Sequence, residues 1–444
     1  MFVSSLTRTC CIGITVLVLF SSVLPAQNLY FPPVTGSSWE TTAPQSLNWC
    51  PGRIDSLYNM LETNNTKAFI LLKDGKIVLE QYFNGHTASS NWYWASAGKS
   101  LTAFLVGLAQ QDSLLNINES TSKYLGAGWT ACDSASESLI TIRNQLTMTS
   151  GLDDGVDDHY CTLDTCLVCL APPGTRWAYH NGPYTLLDQV MEEAAGITMN
   201  QFVNQKLRNS TGITGLFIKN GYNNVFYSTA RSMARFGLLM LGRGKWNGTP
   251  VMTDTTYFHD MTHPSQSINK SYGYLWWLNG QQSFMLPGFQ LVIPGYMTPD
   301  APADAYAAMG KNGQFVSIIP SQGMVWVRMG EEPGGAAVPY LLHNLIWEYI
   351  NRLPCASSAV KDETEMQIRI YPNPASEILT LELPEGVFSG ILSDFSGHQV
   401  HSYSELTGHT SLNISGIPAG FYRLSLVHQA DGRTVNKAVF ISDN

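Results

Sequence analysis

The pattern of apolar and polar residues over 50–352 predicts both strands and helices. Two apolar runs, 68–72 and 76–82, flank Asp74 and Gly75, a dipeptide that is the strongest short-range signal for a β-hairpin. Helical spacing of apolar residues predicts helices at 53–62, 96–111, 141–150, 185–195, 199–207, 228–241 and 338–352. Later runs predict strands at 274–278, 315–320 and 324–329. Strands at both ends and helices between them predict an α+β fold, an antiparallel sheet flanked by helices with an inserted helical lobe.

The pattern changes after residue 354. Residues 355–366 are small and polar, as in a linker. Beyond them, short apolar runs separated by turn residues predict seven strands, at 368–371, 378–383, 390–394, 399–403, 411–414, 420–428 and 435–441. Seven short strands without a helical pattern predict a C-terminal all-β sandwich over 367–444.

The first residues are typical of a secretory signal. A basic start with Arg8 precedes an apolar run at 12–20 and small residues up to Ala26. This arrangement predicts a signal peptide over 1–26, and a first domain over 27–354. The apolar run is short for a bilayer span, and no later stretch approaches that length, so we expect no transmembrane segment in the mature chain.

Charge and cysteine content narrow the function classes. The formal net charge is −9, without a basic run, which argues against nucleic acid and anionic membranes as partners. Six of the eight cysteines follow the signal, and an even number in an oxidising compartment favours disulfides. Cys50 and Cys355 bracket the first domain where its terminal helices should meet, so we predict that they pair.

The other four cysteines leave more than one arrangement open. Cys161, Cys166 and Cys169 lie in an acidic stretch at 153–175, and Cys132 precedes it. Their spacing alone does not give the connectivity. A zinc site would need a fourth ligand that is not evident, so a disulfide-tied loop is favoured, and no metal is expected.

Ser96 and Lys99 are the candidate chemical groups of the first domain. Residues three apart on a helix lie on one face, so the Lys99 amine can reach the Ser96 hydroxyl. The residues that follow are apolar nearly all round, which predicts a buried helix and a partly desolvated lysine. Desolvation lowers the pKa of an ammonium group toward the range where the neutral amine acts as a base. Ser96 is therefore the candidate nucleophile of a hydrolase.

The Ser-x-x-Lys pattern is weak by itself. It occurs four times, starting at Ser96, Ser120, Ser267 and Ser358. Only the first match opens a long apolar helix. The alternative interpretation is that Ser96 caps the helix and Lys99 is solvated.

Further residues resemble those of the serine β-lactamase and penicillin-binding-protein-like superfamily, especially its class C-like esterase, peptidase and 6-aminohexanoate-dimer-hydrolase-like members. Ser96 and Lys99 match the family's Ser-x-x-Lys element. Tyr179 and Asn181 match its Tyr-x-Asn element, and of five such patterns only this one follows a Pro-Gly turn and precedes a helix. Stretches at 146–152 and 228–237 resemble the family as well. The resemblance implies a β-lactamase-like fold over 28–354.

The third family element, Lys-Thr-Gly on a sheet strand, can be aligned in two ways. In one alignment Lys311 starts the element Lys311-Asn312-Gly313, and its ammonium binds a substrate carboxylate. In the other, favoured one, Ala308 starts the element, which ends at Gly310, and Lys311 supplies a backbone N–H. That alignment removes the carboxylate anchor and makes β-lactams poor substrates.

The resemblance implies acyl transfer through a covalent intermediate. Lys99 and Tyr179 would remove the Ser96 proton, and Tyr179 would pass it to the leaving group, provided that nearby cations lower the tyrosine pKa. Asn181 would hold Lys99 or the substrate amide. The N–H groups of Ser96 and Lys311 would form the oxyanion hole, with Gly310 and Gly313 beside it. The sequence also offers Trp92, Trp94 and Trp277 as pocket or core residues, and His180 as a structural neighbour.

The C-terminal region resembles the sorting domain of type IX secretion cargo. The matching residues are Tyr371-Pro372-Asn373-Pro374, the stretches 392–397 and 416–422, and Lys437. The resemblance implies the type IX secretion machinery as a partner and export to the cell surface or the medium. A carbohydrate-binding sandwich is the alternative, but no exposed aromatic row is evident.

Together these patterns predict a secreted serine hydrolase without a cofactor, acting on an ester or amide of a small-molecule or peptide-like substrate. Two alternatives stay open. One is β-lactamase or D,D-peptidase activity on cell-wall-like substrates. The other is a catalytically silent member of the fold that binds a peptide.

Overall fold

The structure is a computed structural model that describes residues 29–333, 340–355, 368–394 and 398–442. The predicted signal peptide over 1–26 and nearly all of the predicted linker over 355–366 lie outside the described residues. Each of the two predicted domains has its own apolar core.

A six-stranded antiparallel sheet forms the centre of the first domain. Its strands follow in the order Lys76–Tyr82, Thr66–Lys73, Met324–Gly330, Gln314–Ile319, Tyr306–Gly310 and Trp277–Leu278. The first strand of this domain therefore pairs with its last strand, with Ile70 opposite Val327. At the first hairpin, Gly75 has a φ of +85°, and a Cβ there would lie 1.9 Å from Tyr30 O, so only glycine fits.

Helices cover both faces of this sheet. On one face Pro51–Thr63 packs against Tyr340–Asn351, and the disulfide Cys50–Cys355, with an S–S distance of 2.03 Å, joins their ends. This is the pairing predicted from the sequence. On the other face lies Ala230–Leu241, whose Gly237 lets the helix approach closely, since a Cβ there would lie 2.5 Å from a Val325 methyl.

The helix Gly98–Gln111 runs through the domain centre. Every residue from Gly98 to Ala109 is buried, as the apolar pattern predicted. At Gly107 a Cβ would lie 2.4 Å from the Tyr257 ring, so the small residue lets a neighbouring helix pack directly against the backbone. The short helices of the lobe are Ser122–Leu125, Ser134–Ser138, Ile142–Leu146, Asn181–Thr185, Leu187–Ala195, Met199–Val203, Asn209–Thr211 and Thr255–Met261.

Two strand regions differ from the prediction. The hairpin Leu216–Asn220 and Asn223–Ser228 pairs with Trp92–Tyr93, and its short, partly exposed strands gave no clear alternation. The strand Tyr306–Gly310 was not predicted, because its small residues have low β-propensity, although both of its faces are buried. In contrast, the strand predicted at 274–278 is limited to Trp277–Leu278.

The C-terminal domain has the seven strands that the sequence predicts. One sheet has the order Arg369–Tyr371, Ile378–Glu382, His409–Asn413, and the other Gln399–Leu406, Phe388–Ser393, Gly420–His428, Thr434–Ile441. Leu379, Leu381, Phe388 and Leu424 are fully buried in its core.

Candidate active site

Ser96 lies in a tight turn before the central helix. The 3₁₀ turn Ala95–Ala97 leads into the α-helix at Gly98, so Ser96 precedes the α-helix rather than opening it. Ala95 has a φ of +46°, a left-handed conformation that a side chain with a Cβ rarely adopts. Such local strain is common at functional sites, and Ser96 itself is partly exposed.

Lys99 links this turn to the helical lobe. Its Nζ donates hydrogen bonds to Ser96 Oγ and to Asn181 Oδ1, both at 2.9 Å. Only 4% of Lys99 is exposed, and burial lowers the pKa of the amine to about 7. Near neutral pH a large fraction of the amine is therefore unprotonated, next to the Ser96 hydroxyl.

Tyr179 is the third predicted catalytic residue, and it is buried next to Lys99. Its ring stacks on Trp277 with centroids 5.7 Å apart, and the Lys99 Nζ lies 5.1 Å from its centroid. Burial raises the pKa of Tyr179, and the effect of Ser96, which lowers it, is smaller. The expectation that nearby cations lower the tyrosine pKa is therefore wrong for this structure, because desolvation dominates and no cation is among the groups that shift this pKa. The phenol is neutral at physiological pH.

His180 stands apart from these contacts. It is 2% exposed, and within the described residues neither ring nitrogen has a hydrogen-bond partner. Burial lowers the pKa of His180 to about 4. A neutral imidazole without a hydrogen bond to Ser96 or Lys99 is a structural neighbour rather than a base.

The strand Tyr306–Gly310 ends against the Ser96 turn. A Cβ at Gly310 would lie 2.6 Å from Trp94 O and 2.9 Å from Ser96 N, so glycine permits a direct backbone approach. This contact favours the alignment in which Gly310 ends the third element and Lys311, which is exposed, follows it. Ala308 then occupies its first position and is fully buried.

The role expected of Gly313 beside the oxyanion hole stays a prediction, and the structure adds that Gly313 packs against Arg328. At its φ of +73°, a Cβ would lie 2.3 Å from Arg328 Nη1. Arg328 is fully buried and donates to the carbonyl oxygens of Asn312 and Gly313, each at 2.8 Å. Gly313 therefore shapes the turn after Lys311 and packs against Arg328.

A disulfide-tied loop supports the other side of the site. Disulfides join Cys132 to Cys169 and Cys161 to Cys166, so all three loop cysteines are used and none remains as a zinc ligand. The loop packs on the residue after Asn181, since a Cβ at Gly182 would lie 2.4 Å from Cys161 O. Among the described residues, no group of three or more His, Cys, Asp or Glu side chains could hold a metal ion.

The three candidate pocket tryptophans differ in position. Trp94 is fully buried, and its Nε1 donates to Ser228 Oγ at 2.8 Å, so it is a core residue. Trp277 is buried against Tyr179, whereas Trp92 is partly exposed.

Tyr184 was missed by the sequence analysis. Its ring centroid lies 4.3 Å from Lys99 Nζ, and the side chain is buried. Its position could have identified it, because Tyr184 follows Asn181 by three residues and both therefore lie on one helical face.

The antiparallel sheet, the buried helix behind it and the Ser-x-x-Lys turn at their junction define the class of β-lactamase-like folds. Residues 65–341 match the family described as Beta-lactamase, and the chain belongs to this family. No curated protein matches the chain.

Solved structures show the same fold at low identity. A candidate 6-aminohexanoate-dimer hydrolase from Bacillus anthracis has a TM-score of 0.54 at 18% identity, covering 72% of this chain and 89% of that one. A candidate β-lactamase from Bacteroides dorei has a TM-score of 0.54 at 16% identity, covering 69% of this chain and 99% of that one. An octameric penicillin-binding protein homologue from Pyrococcus abyssi has a TM-score of 0.51 at 13% identity, covering 88% and 96%.

Residues 369–441 match the family described as Secretion system C-terminal sorting domain. This confirms the resemblance stated from the sequence, and the domain directs export by type IX secretion to the cell surface or the extracellular space. Within the described residues, no helix has both the length and the apolar character needed to cross a membrane.

Proposed function

We propose that the protein is an exported serine hydrolase that cleaves an ester or amide bond through an acyl-enzyme on Ser96. The observation that carries the proposal is the hydrogen bond of 2.9 Å between Lys99 Nζ and Ser96 Oγ. It joins a partly exposed hydroxyl to a buried amine whose pKa is lowered to about 7. A base with a pKa near the working pH is effective in proton transfer.

In the proposed first step, neutral Lys99 accepts the Ser96 proton while Oγ forms a bond to the substrate carbonyl carbon. The carbonyl π electrons move to oxygen, which gives a tetrahedral oxyanion and a Lys99 ammonium. Asn181 Oδ1, 2.9 Å from the amine, accepts a hydrogen bond from that ammonium and holds it in place.

In the second step the bond to the leaving group breaks, and this group takes a proton. Tyr179 is neutral and carries its proton, so it can donate to the leaving group and recover a proton from the Lys99 ammonium. Water then attacks the acyl-enzyme by the same route in reverse. The sequence analysis gave Tyr179 this donor role together with a share in removing the Ser96 proton, and its raised pKa supports the donor role alone.

Two backbone N–H groups are proposed to stabilise the oxyanion, those of Ser96 and Lys311. The close approach of Gly310 to Ser96 N supports this assignment, because it brings the end of the strand beside the turn. Where such donors have been removed in other enzymes, the loss is about 3 to 4 kcal/mol per donor.

We propose esters or amides without a carboxylate next to the scissile bond as the substrate class. In the favoured alignment, the residue in the position of the family's lysine is Ala308, which is buried and uncharged. Without that cation, a β-lactam carboxylate has no partner at this position. Short esters should therefore be better substrates than β-lactams.

Parallel kinetics with p-nitrophenyl butyrate and nitrocefin test this proposal, with Ser96→Ala as the control for background hydrolysis. We expect kcat/KM for the ester to exceed that for nitrocefin, and both to depend on Ser96. Faster nitrocefin turnover would instead favour the β-lactamase alternative. If neither compound reacts and a fluorophosphonate leaves Ser96 unlabelled, the silent binding protein is favoured.

We also propose the domain boundaries predicted from the sequence, a hydrolase domain over 27–354 and a sorting domain over 367–444. The two family matches, at 65–341 and 369–441, lie inside these limits. The second domain would then interact with the secretion machinery. The first domain would bind a small-molecule or peptide-like substrate.

A further inference from the structure

A buried carboxyl group lies on the same helical face as the residues that contact Lys99. Asn181, Tyr184 and Asp188 are spaced three and four residues apart along two nearly continuous helices, Asn181–Thr185 and Leu187–Ala195. At this spacing they share one face. The first two contact Lys99, at 2.9 Å and 4.3 Å, and the helix that carries Asp188 packs against the Lys99 helix.

Asp188 is unusual because it is buried without an ion pair. Only 8% of its surface is exposed, no salt bridge to it is found among the described residues, and its Oδ1 has no hydrogen-bond partner there. A carboxyl group in such surroundings is costly unless it interacts with a nearby charge. Asn224 favours the ionised form of this carboxyl and so partly opposes the effect of burial on its pKa.

We infer that Asp188 is a positioning residue for Lys99, whose carboxylate favours the protonated amine and so sets the pH at which Lys99 becomes a base. The inference rests on the proposed function of Lys99. Among the described residues that contact the Lys99 amine or interact with its charge, Asp188 is the only carboxyl group. The other groups are Ser96, Tyr179, Asn181 and Tyr184.

The electrostatics of both groups support this inference. The Asp188 charge opposes the burial that lowers the Lys99 pKa, and burial raises the pKa of Asp188 to about 7. The groups that act on Asp188 itself are Asn224, Glu192, Lys219 and Lys99, and Asp188 in turn raises the pKa of Tyr184. Because both buried groups titrate near neutrality, they take up their protons in coupled steps.

The same carboxylate would also matter during the reaction. When Lys99 takes the Ser96 proton, an ammonium forms in a buried site. An anion on the same helical face stabilises that ammonium in a low-dielectric environment. Asp188 would thus make Lys99 a stronger base and restrict its neutral form to higher pH.

The test uses the full-length exported chain and the variant Asp188→Asn, which keeps the shape and removes the charge. Glu193→Gln is the matched control, since it removes one carboxylate from an exposed position of the same helix. The pH profile of kcat/KM for the ester is measured for each protein. We expect the acid limb of Asp188→Asn to move to lower pH, with the largest gain in activity near pH 7, where Asp188 is partly ionised, and no movement for Glu193→Gln.

A direct titration of Lys99 separates this inference from the proposed function. The ¹³Cε signal of Lys99, assigned by its absence in Lys99→Met, is followed against pH in the same proteins. Its midpoint should fall in Asp188→Asn even if no substrate is turned over. An unchanged midpoint would overturn the inference, whereas inactivity with a shifted midpoint would count against the proposed function only.

A second variant covers the case in which Asp188→Asn does not fold. Asn224→Ala removes a side chain that lowers the Asp188 pKa, so Asp188 carries less charge near neutral pH. The Lys99 midpoint should then move in the same direction by a smaller amount. A shift in the opposite direction would contradict the inference.

Discussion

The two walls of the candidate site differ in how they present chemical groups. The wall formed by Lys99, Tyr179 and Asn181 is buried, and burial lowers the pKa of Lys99 and raises that of Tyr179. The opposite wall, from Gly310 to Lys311, is a strand end that contributes backbone, while the Lys311 side chain is exposed. Catalytic activity should therefore depend on which side chains form the first wall. On the second wall it should depend on how closely the backbone approaches the Ser96 turn.

The largest expected effect comes from removing the nucleophile between the two walls. Ser96→Ala should lower kcat/KM for the ester by ~10⁴-fold or more, since covalent catalysis is lost. Ser267→Ala is the matched control, because Ser267 begins another Ser-x-x-Lys pattern at an exposed position. Equal activity of both variants would refute the assignment of Ser96.

Lysine substitutions compare the two walls directly. Lys99→Met removes the proposed base and should lower kcat by ~10³-fold, a typical loss for a general base. Lys311→Met should change kcat/KM by less than ~3-fold, because its ammonium is not proposed to contact substrate, and rim charges contribute little. A large loss in Lys311→Met would support the alignment in which this ammonium binds a carboxylate.

Steric change tests the backbone wall. Gly310→Val places methyl groups where even a Cβ would lie 2.6 Å from Trp94 O, so the strand end must move away from the Ser96 turn. We expect kcat to fall by ~10²-fold, comparable to the loss of one oxyanion donor. Gly52→Val is a control, since no atom lies within 4 Å of a Cβ there. An active, folded Gly310→Val protein would count against the proposed oxyanion hole.

The smallest expected effect on activity comes from removing disulfides, one beside the site and one that joins the ends of the domain. Cys161 and Cys166 close a short loop beside Gly182, so replacing both by serine should reduce kcat/KM a few-fold. Cys50 and Cys355 are 305 residues apart, and their double serine variant should lose about 2–5 kcal/mol of unfolding free energy with little change in kcat. Ester kinetics and urea unfolding of both variants check this contrast. A loss of activity in the Cys50/Cys355 variant, or a large loss of stability only in the Cys161/Cys166 variant, would contradict it.

The sequence predicted what depends on local spacing. Ser96 and Lys99 were found because three residues on a helix bring them together, and the burial of their helix followed from its apolar pattern. Tyr179 and Asn181 were found through resemblance. In contrast, nothing in the local sequence indicated that a distant buried residue, Arg328, holds the turn at Gly313.

Properties that depend on burial between distant parts of the chain could not be predicted from the sequence. The direction of the Tyr179 pKa was wrong because the aromatic residues that desolvate it come from separate parts of the chain. The strand Tyr306–Gly310 was missed because small residues give little periodic signal, so the alignment around Lys311 stayed open. Asp188 has no local pattern that marks it, and only the packing of two helices places it on the face toward Lys99.

The pH dependence of Ser96 labelling tests the central claim most directly. A fluorophosphonate reacts with the full-length protein, and mass spectrometry locates the adduct and gives its rate of formation. Because Lys99 must be neutral to accept the proton, we predict an adduct on Ser96 whose rate rises as pH increases through about 7. Absence of an adduct on the folded protein, or a rate that does not change between pH 5 and pH 9, would contradict the account.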